Sequence, residues 1–106
     1  DYASFDGLMN FQMYDIIARM INRCYRDDDH ATARYNLIVA MCGRFSICGS
    51  QVYELVAGMP SGCAMTVIIN SIFNEILIRY VWKRSISGIP RNQFHLHVAL
   101  VVYGDD

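Results

Sequence analysis

Behind Asn10, apolar residues at Phe11, Tyr14, Ile17, Met20, Ile21 and Cys24 recur at three- and four-residue spacing, which predicts a helix with an asparagine cap. The run Asp27-Asp28-Asp29 should end it in a solvated turn and serve as an acidic N-cap cluster for a second helix, from Ala31 to about Cys42. Arg44 to Cys48 and Gln51 to Val56 read as two short strands joined by Gly49-Ser50, a two-residue hairpin signal. Gly58-Met59-Pro60-Ser61-Gly62 is a loop by composition, and it leads into a long third helix from about Ala64 to Lys83. After a polar connection from Ser85 to Asn92, the apolar, β-branched-rich run Phe94 to Tyr103 reads as a strand that ends in a turn at Gly104. The order helix, helix, hairpin, helix, strand predicts an α+β layer, a small antiparallel sheet packed on helices.

Composition changes this picture in one respect. Apolar residues make up 54% of the 106 residues, above the roughly 45–50% typical of soluble domains. Either the core is rich or some apolar faces pack against parts of a larger protein, and the abrupt ends of the chain favour the second. The length admits one domain at most. The chain opens on an acidic stretch with no basic-then-apolar leader, so no secretion signal is expected. The longest apolar stretch, Met65 to Trp82, is interrupted by Asn70, Asn74, Glu75 and Arg79, and makes a poor membrane span. Cys24, Cys42, Cys48 and Cys63 form no C-x-x-C pair and no zinc spacing, so free thiols in a reducing compartment are expected. The formal net charge of −1 lacks the basic footprint of many nucleic-acid proteins, but neither supports nor excludes that role.

Candidate chemistry gathers in three blocks. Asp105 and Asp106 follow a predicted strand and a glycine that permits a tight turn, which places both carboxylates at an exposed strand end. Taken alone, they are better read as a solvated hairpin turn. Asp1 and Asp6 stand in a D-x4-D spacing at the other end, where Asp6 alone would pass for a carboxylate at a helix start beside Gly7. On the third helix, Thr66, Asn70 and Asn74 follow at four-residue steps and form a polar stripe, whose members need partners if buried. For Asn74 a purely structural role is the better reading. His95 and His97 alternate on one face of the predicted last strand without a third ligand, so they too read as structural. Cys63 has no partnered base. The aromatic and aliphatic residues from Phe11 to Tyr25 have helical spacing and read as core packing, not as a base-stacking platform.

In this order the blocks D-Y-A-S-F-D (1–6), G-M-P-S-G-C-A-M-T-V-I-I-N (58–70) and Y-G-D-D (103–106) resemble motifs A, B and C of the palm of viral RNA-dependent RNA polymerases, nearest to picorna-like positive-strand RNA viruses. The S-G-x3-T-x3-N pattern of Ser61, Gly62, Thr66 and Asn70 is the most specific part. The strings Thr66 to Asn74 and Arg79 to Trp82 resemble arthropod and marine members more than mammalian ones. The resemblance implies a polymerase palm core over residues 1–106, truncated at both ends, with fingers and thumb absent, and inactive by itself.

It further implies RNA-templated RNA synthesis by the full-length parent through a two-metal mechanism with Mg²⁺, for which Mn²⁺ can substitute. Asp1 and Asp105 would be the main metal ligands, with Asp106 supporting them and the backbone carbonyl of Tyr2 completing the shell. Asp6 would read the ribose 2′-hydroxyl of the incoming nucleotide together with Ser61 and Asn70, with Thr66 in support, and Gly62 would let the loop move with the template. The implied partners are an RNA template and primer, ribonucleoside triphosphates, the fingers and thumb, and a protein primer. The implied place of action is the host cytoplasm, at virus-induced membrane replication complexes. The competing reading is a catalytically silent palm-like module for RNA binding or assembly.

Overall fold

A computed structural model describes residues 5–26 and 28–104. Asp1, Tyr2, Asp105 and Asp106 lie outside the described residues, as does Asp27. The described chain falls into two compact units, residues 5–63 and residues 64–104. It is a mixed helical structure with one small antiparallel sheet, in keeping with the α+β expectation.

The first unit opens with a 3-10 turn at Phe5–Leu8, followed by α1 (Phe11–Arg23). Asn10 caps α1 as expected: its backbone is extended and its side-chain oxygen accepts from the amide of Met13 at 3.1 Å. The helix buries a narrower stripe than its periodicity suggests. Tyr14, Ile17 and Ala18 are buried, whereas Phe11, Met20 and Cys24 are exposed, as is Tyr25 beyond the end. The expectation that the whole run from Phe11 to Tyr25 packs in a core therefore holds only for its middle. Tyr25 instead lies under the guanidinium of Arg34, 4.0 Å from the ring centroid, a contact that keeps one ring face wet and still stabilises it.

The second helix, α2 (Ala31–Val39), packs against α1 through polar ties as well as apolar contact. Asn22 donates to the Ala31 carbonyl at 2.9 Å and accepts from Arg34 Nε at 2.9 Å. The Tyr35 hydroxyl donates to Asp15 at 2.7 Å, and with the neighbouring Arg19 guanidinium it holds the Asp15 carboxyl below the usual carboxylate range. Two expectations fail here. The N-cap of α2 is His30, without a side-chain cap bond, and its first turn carries no acidic residue. Asp28 contributes its carbonyl, which accepts from the Ala31 amide at 3.1 Å; the backbone turn satisfies the donor that an aspartate side chain would have taken. The helix also stops at Val39 and not at Cys42, because Met41 and Cys42 bond three residues back, to Ile38 and Val39, and so tighten the chain into a turn.

Strands β1 (Arg44–Cys48) and β2 (Gln51–Leu55) pair antiparallel, with Cys48 opposite Gln51 across Gly49-Ser50. Gly49 has φ +62, the left-handed conformation that a two-residue hairpin loop needs. The core of this unit is Phe5, Met9, Tyr14, Ile17, Ala18, Ile38, Cys42 and Met59.

The second unit is built on α3 (Thr66–Ser85), two residues later at both ends than expected. Ile69, Asn70, Phe73 and Asn74 are buried, while the apolar side chains of Val67, Ile68, Tyr80 and Val81 are exposed. Among the described residues no helix is long and apolar enough to cross a membrane. The predicted strand from Phe94 to Tyr103 is not formed. A 3-10 turn at Arg91–Gln93 runs into a single helical turn, α4 (Phe94–His97). The physical reason is Trp82: its indole meets the Phe94 ring edge-on at 5.4 Å and stacks with the His97 ring at 6.0 Å. Residues three apart share a face only in a helix; in a strand these two would point to opposite sides. His95 and His97 accordingly do not alternate along a strand. Val98 is extended (φ −130, ψ 119), but residues 98–103 pair with no strand among the described residues.

Candidate functional site

The loop from Gly58 to Cys63 is held by backbone contacts that a glycine at its start favours. Gly58 has φ +92, and a Cβ there would come within 3.3 Å of the Asp6 carbonyl oxygen. The Gly58 amide donates to the Met9 carbonyl at 2.7 Å, and the Met59 amide donates to the Asp6 carbonyl at 2.9 Å. The turn that carries Asp6 and the loop that carries Ser61 are thereby joined through their backbones.

Side chains complete the junction. Ser61 Oγ donates to Asp6 Oδ2 at 2.9 Å, across 55 residues of sequence. This is a charge-assisted bond between one residue of the D-x4-D block and one of the S-G-x3-T-x3-N block. Asp6 is half-buried, and Ser61 and Gly62 are exposed. Gly62 also has positive φ, +88, but a Cβ there would meet nothing within 4 Å. Cys63 packs its sulfur 3.5 Å from that of Met41. All four cysteines are free, as expected, and burial pushes the Cys42 thiol up.

Two residues that the motifs do not contain hold the other side of the loop. The Tyr14 hydroxyl donates to the Gly58 carbonyl at 3.0 Å. Burial pushes this phenol up to about 12, so it stays protonated and able to donate throughout the neutral range. Arg44, the first residue of β1, donates from Nη1 to the same Gly58 carbonyl at 2.9 Å and from Nη2 to the Met59 carbonyl at 3.4 Å. Nothing in the sequence marks either residue, since the groups they bind are main-chain carbonyls far along the chain.

In the second unit, Thr66 opens α3 and Asn70 and Asn74 follow on its buried side, 3% and 2% exposed. The polar stripe expected from their spacing is therefore a buried one. Ser71, which the sequence did not single out, sits beside Asn70. Its hydroxyl donates to the Val67 carbonyl at 2.7 Å and accepts from the Gly104 amide at 2.8 Å. Gly104 is buried with φ +67, so the turn expected before Asp105 is present and is pinned to α3. Asp1, Tyr2, Asp105 and Asp106 themselves are outside the described residues, and among the described residues no cluster of three or more His, Cys, Asp or Glu could hold a metal ion.

The family model of viral RNA-dependent RNA polymerase matches residues 1–106. The RNA1 polyprotein of Tomato ringspot virus (isolate raspberry) is 55% identical over 106 residues, covering 100% of this chain and 5% of the polyprotein. Those of Blackcurrant reversion association virus and Grapevine fanleaf virus are 52% and 51% identical, with the same coverage of 100% and 5%. The chain thus spans about 5% of the length of the curated relatives it matches. No solved structure matches it. These relatives are nepoviruses, within the Picornavirales. Matched along its whole length by the family and by relatives at half identity or better, the chain belongs to the viral RNA-dependent RNA polymerases of picorna-like viruses.

Proposed function

We propose that the parent protein copies RNA from an RNA template by nucleotidyl transfer, and that this chain supplies the centre where the incoming ribonucleotide is read and joined. The observation that carries the reading is the 2.9 Å bond from Ser61 to Asp6, which unites residues of two separate motifs at an accessible position. An acceptor carboxylate held by a hydroxyl is suited to read a further hydroxyl. A site built this way rejects the deoxy analogue because its polar groups are then left unpaired. Asn70, on α3, is assigned to the same sugar recognition, with Thr66 one turn before it in support and Gly62 as the mobile point of the template loop.

The donor set assigned to the metals, Asp1, Asp105 and Asp106 with the Tyr2 carbonyl, consists of hard oxygens and fits Mg²⁺, or Mn²⁺ in its place. When bound, divalent ions activate an attacking hydroxyl and neutralise charge on the departing pyrophosphate. This chain's own part is positional. Gly104 allows the tight turn, and Ser71 fixes its amide, directly before the Asp105-Asp106 pair. Template and primer RNA, ribonucleoside triphosphates, a protein primer, and the fingers and thumb are the partners of this reading, and host-cytoplasmic replication membranes its place of action.

The test uses the full-length polymerase and primer extension. Asp1→Asn or Asp105→Asn should abolish incorporation with folding retained; near-normal rates in either would sink the metal assignment, and RNA binding without any incorporation by the wild type would favour the silent module. Asp6→Ala or Asn70→Ala should slow ribonucleotide use far more than deoxyribonucleotide use. A hydrogen bond to a charged group is worth about 1.5–3 kcal/mol, so discrimination should fall on the order of ten- to a hundredfold. Equal losses for both sugars would show that these residues position the nucleotide generally.

A further inference from the structure

The Gly58–Met59 peptide is pinned at both of its ends. Because a trans peptide is planar, its carbonyl and its N–H point in opposite directions. The N–H, on Met59, donates to the Asp6 carbonyl at 2.9 Å. The carbonyl, on Gly58, accepts from Arg44 Nη1 at 2.9 Å and from the Tyr14 hydroxyl at 3.0 Å. One rigid plane therefore links Arg44 and Tyr14 on one side to the backbone of Asp6 on the other. Arg44 adds a longer contact from Nη2 to the Met59 carbonyl at 3.4 Å and one from Nη1 to the Met41 carbonyl at 3.3 Å. A guanidinium is well suited to this position, because it is always charged and its planar fork offers several donors at once, so it can gather carbonyls that point at a common centre. Met59, whose carbonyl it also meets, is two residues before Ser61.

We infer that Arg44 is a positioning residue for ribose recognition, which orients the Gly58–Met59 peptide so that Ser61 Oγ and the Asp6 carboxylate meet. Tyr14 assists through the same carbonyl. The inference rests on the reading of Asp6 and Ser61 as sugar-recognising groups. Without Arg44, the peptide plane gains freedom to rotate about its flanking bonds, the Met59 N–H no longer fixes the Asp6 carbonyl, and the two side chains meet in a smaller share of molecules. The nucleotide then loses contacts that depend on the 2′-hydroxyl while its triphosphate contacts are unaffected.

The experiment compares single-nucleotide incorporation of matched ribo- and deoxyribonucleoside triphosphates by full-length polymerase carrying Arg44→Met, Arg44→Lys, Tyr14→Phe or Ser61→Ala, and Arg44→Met combined with Ser61→Ala. Arg44→Met should raise KM for the ribonucleotide with little change for the deoxyribonucleotide, lowering discrimination about three- to tenfold, the worth of one to two ordinary hydrogen bonds. Arg44→Lys, which keeps a charged donor without the fork, should recover part of that loss. In the Ser61→Ala background Arg44→Met should lower discrimination no further, because its route is already cut. Equal loss for both sugars, or full additivity of the two substitutions, overturns the inference and leaves Arg44 a residue of the fold alone. If Ser61→Ala leaves discrimination intact, the sugar reading fails and the inference with it. If Ser61→Ala lowers discrimination and Arg44→Met does not, only the role of Arg44 falls. Should Arg44→Met yield no folded enzyme, a wild-type ratio in both Arg44→Lys and Tyr14→Phe overturns it equally.

Discussion

Gly58 and Gly62 offer a matched pair of substitutions that separates backbone strain from close approach. Both have left-handed φ, +92 and +88, but a Cβ at Gly58 would stand 3.3 Å from the Asp6 carbonyl oxygen, whereas one at Gly62 would meet nothing within 4 Å. Forcing alanine into a left-handed conformation costs about 1–2 kcal/mol. Its stiffer unfolded chain returns about 0.4–1 kcal/mol. Gly62→Ala should therefore destabilise by about 1 kcal/mol. At Gly58 the contact adds an overpacking cost of about 1–3 kcal/mol, and relief is difficult because that oxygen already accepts from Met59 N at 2.9 Å. Gly58→Ala should then cost about 3 kcal/mol, the middle of these ranges taken together. The assay is chemical unfolding of the full-length polymerase with each substitution, read by fluorescence, alongside incorporation of both sugars. Because the contact pushes on Asp6 itself, Gly58→Ala should also reduce ribose discrimination. Equal destabilisation by the two alanines would refute the reasoning, since it would show that the loop moves aside freely and does not press on Asp6.

Ser71→Ala removes the acceptor of the Gly104 amide, a bond of 2.8 Å; losing it costs about 1 kcal/mol, and incorporation should slow by about fivefold for both sugars alike, with an unchanged single-turnover rate counting against the role of this turn. Asn10→Ala removes the 3.1 Å cap of α1 and should lower unfolding stability by about 1 kcal/mol. Asn10→Asp, which caps as well and adds charge at the helix N-terminus, should match or exceed wild type; equal stability of the two variants would show that the cap is idle.

The sequence was most legible where short-range physics decides. Asn10 at the start of α1 and the β1–β2 hairpin, whose second strand ends at Leu55, one residue before the expected Val56, follow from capping and turn chemistry, which need only a few neighbouring residues. It was least legible at Phe94 to Tyr103, where β-branched composition suggests a strand and the rings of Trp82, Phe94 and His97 impose a helical turn instead. A strand also needs a partner for its hydrogen bonds, and composition cannot supply one. Likewise, which residues of α1 are buried depends on contacts distant in sequence, such as that of Tyr14 with Gly58, which no periodicity specifies.

The candidate site shows the same division in chemical terms. Asp6 and Ser61 are legible because a motif constrains side-chain chemistry, and the structure adds that they touch. Arg44, Tyr14 and Ser71 were not, because each serves a main-chain group: the carbonyl of Gly58 or the amide of Gly104. Every residue carries those groups, so sequence cannot indicate which ones lack a partner within regular structure; only the path of the chain does. Irregular loops that carry function leave many of them over. This chain thus uses a second set of residues, outside its motifs, that satisfy the backbone of the loop that carries Ser61 and of the turn at Gly104. Their substitution should disturb the Asp6–Ser61 junction and the Gly104 turn separately, because Arg44 and Tyr14 act on the one and Ser71 on the other.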